Sequence, residues 1–302
     1  MTSVLLVLLS LLAVNQALNV PFCFAQPRMP KYLADVQRLE AQYKRLEAVA
    51  ILDKVLRENP NNLIALWYRV RLLSELEQSD NLLNDCNRLI AADPKAERFR
   101  CIYTYRAIVF KSQDEISRAI KDLDRSRELG QMEYQYHVCR AECLQAQNKL
   151  KEAIVEWTAI VTQNPERAHY ALFRRSTLDE MLNLQDKALA DLTMALKLKP
   201  KQTDIRWSRA RLLEQLHRYN EAIADYSFLI QLDPTDETKY FKRGKLYVTT
   251  GKYQLALADI SKSISLDPMP SATIFKFRSQ IYEKLGNNAL AKKDLDAAAK
   301  IR

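Results

Sequence analysis

The chain has 302 residues, of which 48% are apolar and 27% charged, and its formal net charge is +9. Its four glycines are isolated from one another, which excludes the glycine-clustered loops that bind phosphate in P-loop and Rossmann folds. The apolar fraction is too high for a disordered chain, and the abundance of Ala, Leu, Lys, Arg, Glu and Asp favours helices. We therefore expect a nearly all-helical protein behind a short targeting segment.

The first 27 residues carry no charged side chain and include an apolar run of about eleven residues that begins at Val4. That length suits the core of a signal peptide and is too short to cross a bilayer. Cleavage is predicted after Ala25, because small residues occupy the last position before the cut (Ala25) and the position two residues before that (Cys23). Cleavage after Ala17 is an alternative. The sequence thus predicts a signal peptide over 1–25 and export to a periplasm, a secretory lumen or the extracellular space. The alternative is an uncleaved membrane anchor over 4–24.

Four cysteines follow the predicted cleavage point: Cys86, Cys101, Cys139 and Cys143. An even number in an oxidising compartment permits disulfides. The favoured alternative is buried small thiols that pack as apolar side chains. No histidine pair stands at zinc-ligand spacing from them, so no metal site is predicted.

A period of 34 residues fills the rest of the chain. Pro60 and Pro94 are 34 residues apart, and so are Pro200, Pro234 and Pro268 in turn. Two small residues recur at a fixed separation in most repeats, as two closely packed antiparallel helices require. The first series is Ala107, Ala141, Ser176, Ala210, Gly244 and Ser279, and the second is Ala48, Ala119, Ala153, Ala188, Ala222, Ala256 and Ala291. Each repeat is therefore predicted to be a helix, a short turn and a second helix.

The sixth repeat illustrates this prediction. Apolar spacing places its first helix over Asp204–Leu216, its turn over His217–Tyr219 and its second helix over Asn220–Leu232. Pro234 then ends the second helix, because the residue before a proline avoids the helical region.

These spaced residues resemble the tetratricopeptide repeat, most clearly Ala210, Leu213, Tyr219, Ala222, Tyr226, Leu229 and Pro234. The resemblance covers residues 26–302 as eight repeats, approximately 29–60, 63–94, 100–131, 134–165, 169–200, 203–234, 237–268 and 272–302. It implies an all-α fold, an α-solenoid wound as a right-handed superhelix. It also implies that a concave groove, lined mainly by the first helices, binds peptide segments or helices of other proteins.

An arginine precedes the first small residue in repeats two to eight, and an acid follows it sixteen residues later. An arginine–carboxylate pair can be bidentate and fix helix register. We therefore predict a structural ladder between the two helices of the same or an adjacent hairpin, rather than a row of ligand-binding arginines. The pairs are Arg69 and Asp85, Arg106 and Asp122, Arg140 and Glu156, Arg175 and Asp191, Arg209 and Asp225, Arg243 and Asp259, and Arg278 and Asp294.

Aromatic residues beside cations recur on the first helices, a combination enriched in interface hot spots. We expect these side chains to face the groove and contact a partner. They are Trp67, Arg71, Phe173, Thr177, Trp207, Arg211, Phe241, Lys245 and Lys276.

Positive charge concentrates in residues 197–302, which contain 20 Lys and Arg against 12 Asp and Glu. This excess favours an acidic or amphipathic protein segment or an anionic membrane surface. Nucleic acid is disfavoured, because the ladder occupies the arginines that would contact phosphates. The last repeat has no extra polar helix over its outer face, which predicts self-association there.

No catalytic centre is predicted, since His137, His169 and His217 stand in different repeats without an acidic or cysteine partner at ligand spacing. No HExxH or GxSxG motif occurs, and no cofactor is expected. The sequence predicts a non-enzymatic scaffold, or an assembly or co-chaperone-like factor. The alternative is a membrane-anchored structural protein whose basic C-terminal half lies at an anionic surface.

Overall fold

The computed structural model of the protein describes residues 30–76, 79–95 and 98–301. The predicted signal peptide or anchor lies outside these residues. Sixteen α-helices and no strand occur in the described ranges. None of these helices combines the length and the apolar character needed to cross a membrane.

The helices come in eight consecutive pairs, one pair for each predicted repeat. They are α1 (Lys31–Ala41), α2 (Arg45–Glu58), α3 (Leu63–Glu75), α4 (Ser79–Ala92), α5 (Ile102–Ser112), α6 (Ile116–Glu128), α7 (Tyr134–Ala146), α8 (Leu150–Gln163), α9 (His169–Met181), α10 (Gln185–Leu198), α11 (Thr203–Gln215), α12 (Tyr219–Leu232), α13 (Glu237–Thr249), α14 (Tyr253–Leu266), α15 (Ala272–Lys284) and α16 (Asn288–Lys300). A single 3₁₀ turn over Pro165–Arg167 precedes α9.

The chain divides into two compact units at Ser112. The first contains α1–α5, and the second contains α6–α16. Within each unit every helix packs against the next one along the chain. This serial packing of the described helices is the all-α architecture of a solenoid.

The turns within the pairs have a common geometry. The middle residue takes a positive φ of 58–77° in the seven turns whose middle residue is described: Tyr43, Asp114, Asn148, Asn183, His217, Gly251 and Gly286. The next residue donates its N–H to a carbonyl of the last helical turn, as Arg218 does to Leu213 at 2.8 Å and Lys252 to Tyr247 at 2.7 Å. This is the left-handed ending that satisfies orphan carbonyls at a helix C-terminus.

Small residues let the paired helices approach closely. Ala210 and Ala222, on α11 and α12, have no exposed surface. At Gly244 a Cβ atom would lie 2.8 Å from Cδ1 of Ile260, closer than real contacts allow. The recurrent small residues therefore face the partner helix of their own pair.

The sixth repeat shows how closely the boundaries follow the sequence pattern. Its helices are Thr203–Gln215 and Tyr219–Leu232, so the first begins and ends one residue earlier than expected and the second begins one residue earlier. The turn is shifted because His217, the residue with a positive φ, lies at the centre of the turn and not at its start. The end of the first helix and the start of the second therefore come one residue earlier.

Candidate partner-binding site

Five of the sequence-predicted arginine–aspartate pairs are bidentate hydrogen bonds within one hairpin. Nε and Nη2 of each arginine donate to the two carboxylate oxygens at 2.6–2.8 Å. Each aspartate side chain is at most 10% exposed. The pairs are Arg69 and Asp85, Arg175 and Asp191, Arg209 and Asp225, Arg243 and Asp259, and Arg278 and Asp294. The hydrogen bonds to Asp191 raise the pKa of Arg175, although burial opposes them.

Several ladder arginines also contact the second helix of the preceding repeat. The acceptor lies sixteen or seventeen residues before the arginine, and its type varies between Asp, Thr and Ser. These contacts made by Nη1 are Arg69 to Asp53 at 2.6 Å, Arg140 to Asp124 at 2.8 Å, Arg175 to Thr158 at 2.9 Å and Arg243 to Ser227 at 2.9 Å. Each of these arginines therefore joins two consecutive helix pairs.

The two helices of the third repeat, α5 and α6, fall in different compact units. Nη1 of Arg106 donates to Asn87 on α4 at 2.9 Å, and Asp122 on α6 is buried. A pair between Arg106 and Asp122 stays a prediction.

The fourth repeat adds a contact that its sequence spacing did not indicate. Oε1 of Glu156 forms an ion pair with Nε of Arg140 at 3.2 Å, and its Oε2 lies 2.7 Å from Nδ1 of His137. The sequence predicts no acidic partner for His137 at ligand spacing. Nineteen residues separate His137 from Glu156, and only the packing of α7 on α8 brings them together. The side chains of His137 and Glu156 are thus in contact within the pair α7–α8, and that of His137 is buried.

In each compact unit we call the exposed side of the first helices the first-helix face. These helices are α1, α3 and α5 in the first unit and α7, α9, α11, α13 and α15 in the second. The predicted aromatic residues of this face are only partly exposed. Trp67 packs against Phe99 and Tyr105, with ring centroids 5.7 and 5.5 Å apart. Trp207 meets Tyr226 edge-on at 5.4 Å. These rings fill space between helices as well as presenting an edge to solvent.

The aromatic residues near the C-terminal end of the second compact unit are arranged similarly. Phe241 on α13 meets Phe277 on α15 with centroids 6.0 Å apart. Phe173 on α9 packs at the margin of the buried core. Thr177 is exposed, and its hydroxyl donates to the carbonyl oxygen of Phe173 at 3.2 Å.

The two arginines predicted to contact a partner are already paired. Arg71 donates to Glu40 on α1, and Arg211 donates to Glu180 on α9 at 2.6 Å. In both cases the acid stands 31 residues earlier, on the preceding first helix. This repeated spacing is visible in the sequence and could have predicted both pairs. The charges of Arg71 and Arg211 are therefore neutralised within the protein.

Two lysines on the first-helix face behave differently. Lys245 and Lys276 are exposed, and neither forms an ion pair within the described ranges. The Lys245 ammonium lies 5.9 Å from the ring centroid of Phe241, a distance at which a cation and an aromatic face attract. The first-helix face thus carries an unneutralised cation beside an aromatic ring on α13, and a second unneutralised cation on α15.

The described residues contain no cluster of three His, Cys, Asp or Glu side chains that could hold a metal ion. Cys86, Cys139 and Cys143 are buried, and Cys101 is partly buried.

Sequence comparison places a recognised repeat at the C-terminal end of the chain. The family model described as tetratricopeptide repeat matches residues 240–268 and 277–302. These segments correspond to most of α13–α14 and α15–α16, the helices that carry Lys245 and Lys276. No curated protein sequence matches the chain significantly.

Several solved structures are similar to the chain at low sequence identity. The crystal structure of MamA is 18% identical, with a TM-score of 0.48, over 53% of this chain and 92% of that one. The Cut9–Hcn1 hetero-tetramer of APC/C is 16% identical, with a TM-score of 0.46, over 88% and 52%. PilF of Pseudomonas aeruginosa is 13% identical, with a TM-score of 0.47, over 65% and 88%. Similarity at this level does not extend to function.

Proposed function

We propose that the chain is a non-enzymatic protein-interaction scaffold, acting in assembly or as a co-chaperone-like factor. Its first-helix face binds an acidic or amphipathic segment of another protein, and α13 and α15 supply the main contacts. The tetratricopeptide match over these helices supports a protein-binding role in general, and the placement of charge supports the finer assignment.

One observation carries the choice of α13 and α15. Lys245 and Lys276 are exposed cations without an ion pair in the described residues, whereas Arg71 and Arg211 are held by Glu40 and Glu180. A paired cation would have to break its ion pair within the protein before it could bind a carboxylate of the partner. An unpaired cation beside an aromatic ring can bind a carboxylate and an apolar side chain together.

The test is a binding measurement with short labelled peptides that carry acidic residues around one aromatic residue. We expect the double variant Lys245→Glu with Lys276→Glu to lose most of the affinity. The matched control is Lys199→Glu with Lys201→Glu, which makes the same change in net charge at exposed positions of the α10–α11 loop. Equal losses in the two variants would show that only net charge matters and would refute the assigned site.

Export is proposed on the sequence pattern of residues 1–25, which lie outside the described range. A purified native chain that begins at Gln26 would support cleavage and export. A chain that retains Met1 would instead support the anchor over 4–24, and with it the alternative of a membrane-anchored structural protein.

We also propose self-association through the last helix pair. The residue four positions after the second small residue is fully buried in the first seven repeats, as at Tyr226 and Ile260. In α16 the same position is Leu295, which is 44% exposed. A second copy stacked on α15–α16 would cover it. A mass that stays monomeric at high concentration, and is unchanged by Leu295→Ser, would exclude this association.

A further inference from the structure

The second helices of the last two repeats, α14 and α16, each carry an exposed side that differs from the first-helix face. Leu255 on α14 and Leu290 on α16 stand directly before the buried Ala256 and Ala291, and they are 51% and 43% exposed. The same position in five earlier repeats holds a charged residue: Glu47, Arg118, Glu152, Lys187 and Glu221. An exposed leucine replaces a charge in two neighbouring repeats, and neither leucine is needed for the core.

Exposed lysines lie on the same side of each helix as its leucine, and we call each such row of residues a stripe. Residues three, seven and ten positions after a helical residue lie on the same side of the helix. On α14 this places exposed Lys262 in line with Leu255, and on α16 it places exposed Lys293 and Lys300 in line with Leu290. No acid occupies the eight positions of these two stripes. We call these five residues the Leu–Lys face.

The lysines of this face are available for an external anion. Lys262, Lys293 and Lys300 form no ion pair in the described part of the chain. The described arginines of residues 197–301 all form ion pairs: Arg206, Arg209, Arg211, Arg218, Arg243 and Arg278. The positive excess of this region is therefore carried by lysines, and three of them lie on the same sides of α14 and α16 as the two exposed leucines.

The chemistry of this face fits a lipid surface better than a protein partner. Protein hot spots are enriched in aromatic residues and arginine in closed pockets, and those residue types are on the first-helix face or inside the ladder. Lysines on long flexible stems are attracted to an anionic bilayer without fixed geometry, and isolated aliphatic side chains can insert at the headgroup boundary. We propose that the Leu–Lys face of α14 and α16 binds an anionic lipid surface, separately from the peptide site on α13 and α15.

The experiment is co-sedimentation of the full chain with vesicles of phosphatidylcholine alone or mixed with phosphatidylserine. Vesicles of phosphatidylcholine alone measure any insertion by residues 4–24, so the added binding to phosphatidylserine reports the lysines. We expect the triple variant Lys262→Gln, Lys293→Gln and Lys300→Gln to lose this added affinity by on the order of a hundredfold, because each lysine contributes about fivefold. Leu255→Ser with Leu290→Ser should weaken binding without changing its dependence on salt.

The matched control is Lys197→Gln, Lys199→Gln and Lys201→Gln, which removes the same charge from exposed positions at and just after the end of α10 and should cost less than about threefold. As a second measurement on the unmodified chain, bound vesicles should protect Lys262, Lys293 and Lys300 from acetylation, but not the control lysines. Equal losses in both triple variants, absence of protection, or no preference for phosphatidylserine would each overturn the proposal. Binding of soluble polyglutamate through the same three lysines without vesicle binding would replace the lipid with an acidic protein.

Discussion

Arg243 and Lys245 lie two residues apart on α13 and belong to different regions of the molecule. The Arg243 side chain is 18% exposed and forms a bidentate pair with Asp259, whereas Lys245 is exposed and has no such pair in the described residues. On the interior side of α13, the arginine forms hydrogen bonds that fix α13 against α14. The first-helix face leaves a cation for a partner. Position in the repeat, rather than charge, decides which role a basic residue takes.

The largest expected effect is the loss of an interior cation. Arg243→Ala leaves the nearly buried Asp259 without its bidentate partner and removes the contact to Ser227 on α12. We expect the free energy of unfolding to fall by about 3 kcal/mol, measured by urea denaturation. Lys245→Ala serves as the control and should change stability by less than about 0.5 kcal/mol. Similar losses in the two variants would remove the distinction between the two regions.

Replacing a buried acid that has no bidentate arginine in the described residues should raise the stability of the protein. Asp179 on α9 is 4% exposed and stands where the next repeat has the buried Leu213. Burial, and next the charge of Asp191, raises the pKa of Asp179. We expect Asp179→Leu to stabilise the protein by about 1–2 kcal/mol near neutral pH.

The stability gained by Asp179→Leu should depend on pH in a direction that follows from the raised pKa of Asp179. Because the folded pKa of Asp179 lies above its unfolded value, the folded state binds the proton more tightly and stability falls as pH rises through these two values. The gain from Asp179→Leu should therefore shrink on acidification, when Asp179 is protonated. Thermal unfolding across a pH series measures it. A gain that grows in acid would contradict the assignment.

A smaller effect is expected for a paired cation on the first-helix face. The Arg211 side chain is 43% exposed and its partner Glu180 is 17% exposed, so solvent screens most of their attraction. Arg211→Ala should cost about 0.5 kcal/mol, and high salt should reduce the difference. A double variant with Glu180→Ala should cost little more than either single change. If Arg211→Ala lowered the free energy of unfolding as much as Arg243→Ala, Arg211 would have the same structural role as the interior arginines.

The sequence was sufficient for features that repeat at constant spacing within one hairpin. The small residues and the sixteen-residue offset between Arg209 and Asp225 are local to one repeat, so periodicity exposes them. Contacts between repeats were harder to predict. The acceptor for Arg243 on the preceding repeat is a serine, Ser227, and the acid that pairs with Arg211 is 31 residues away. Their identities vary, and only the stacking of helix pairs brings them into reach.

The double contacts of the ladder arginines have a consequence for how each compact unit unfolds. When one helix pair opens, the arginine of the next pair loses an acceptor such as Asp53 or Asp124. Opening therefore makes the neighbouring pair less stable in turn, a nearest-neighbour coupling of the kind that governs linear arrays. Such coupling raises cooperativity, so adjacent pairs within a unit should melt as a block rather than fray singly from one end.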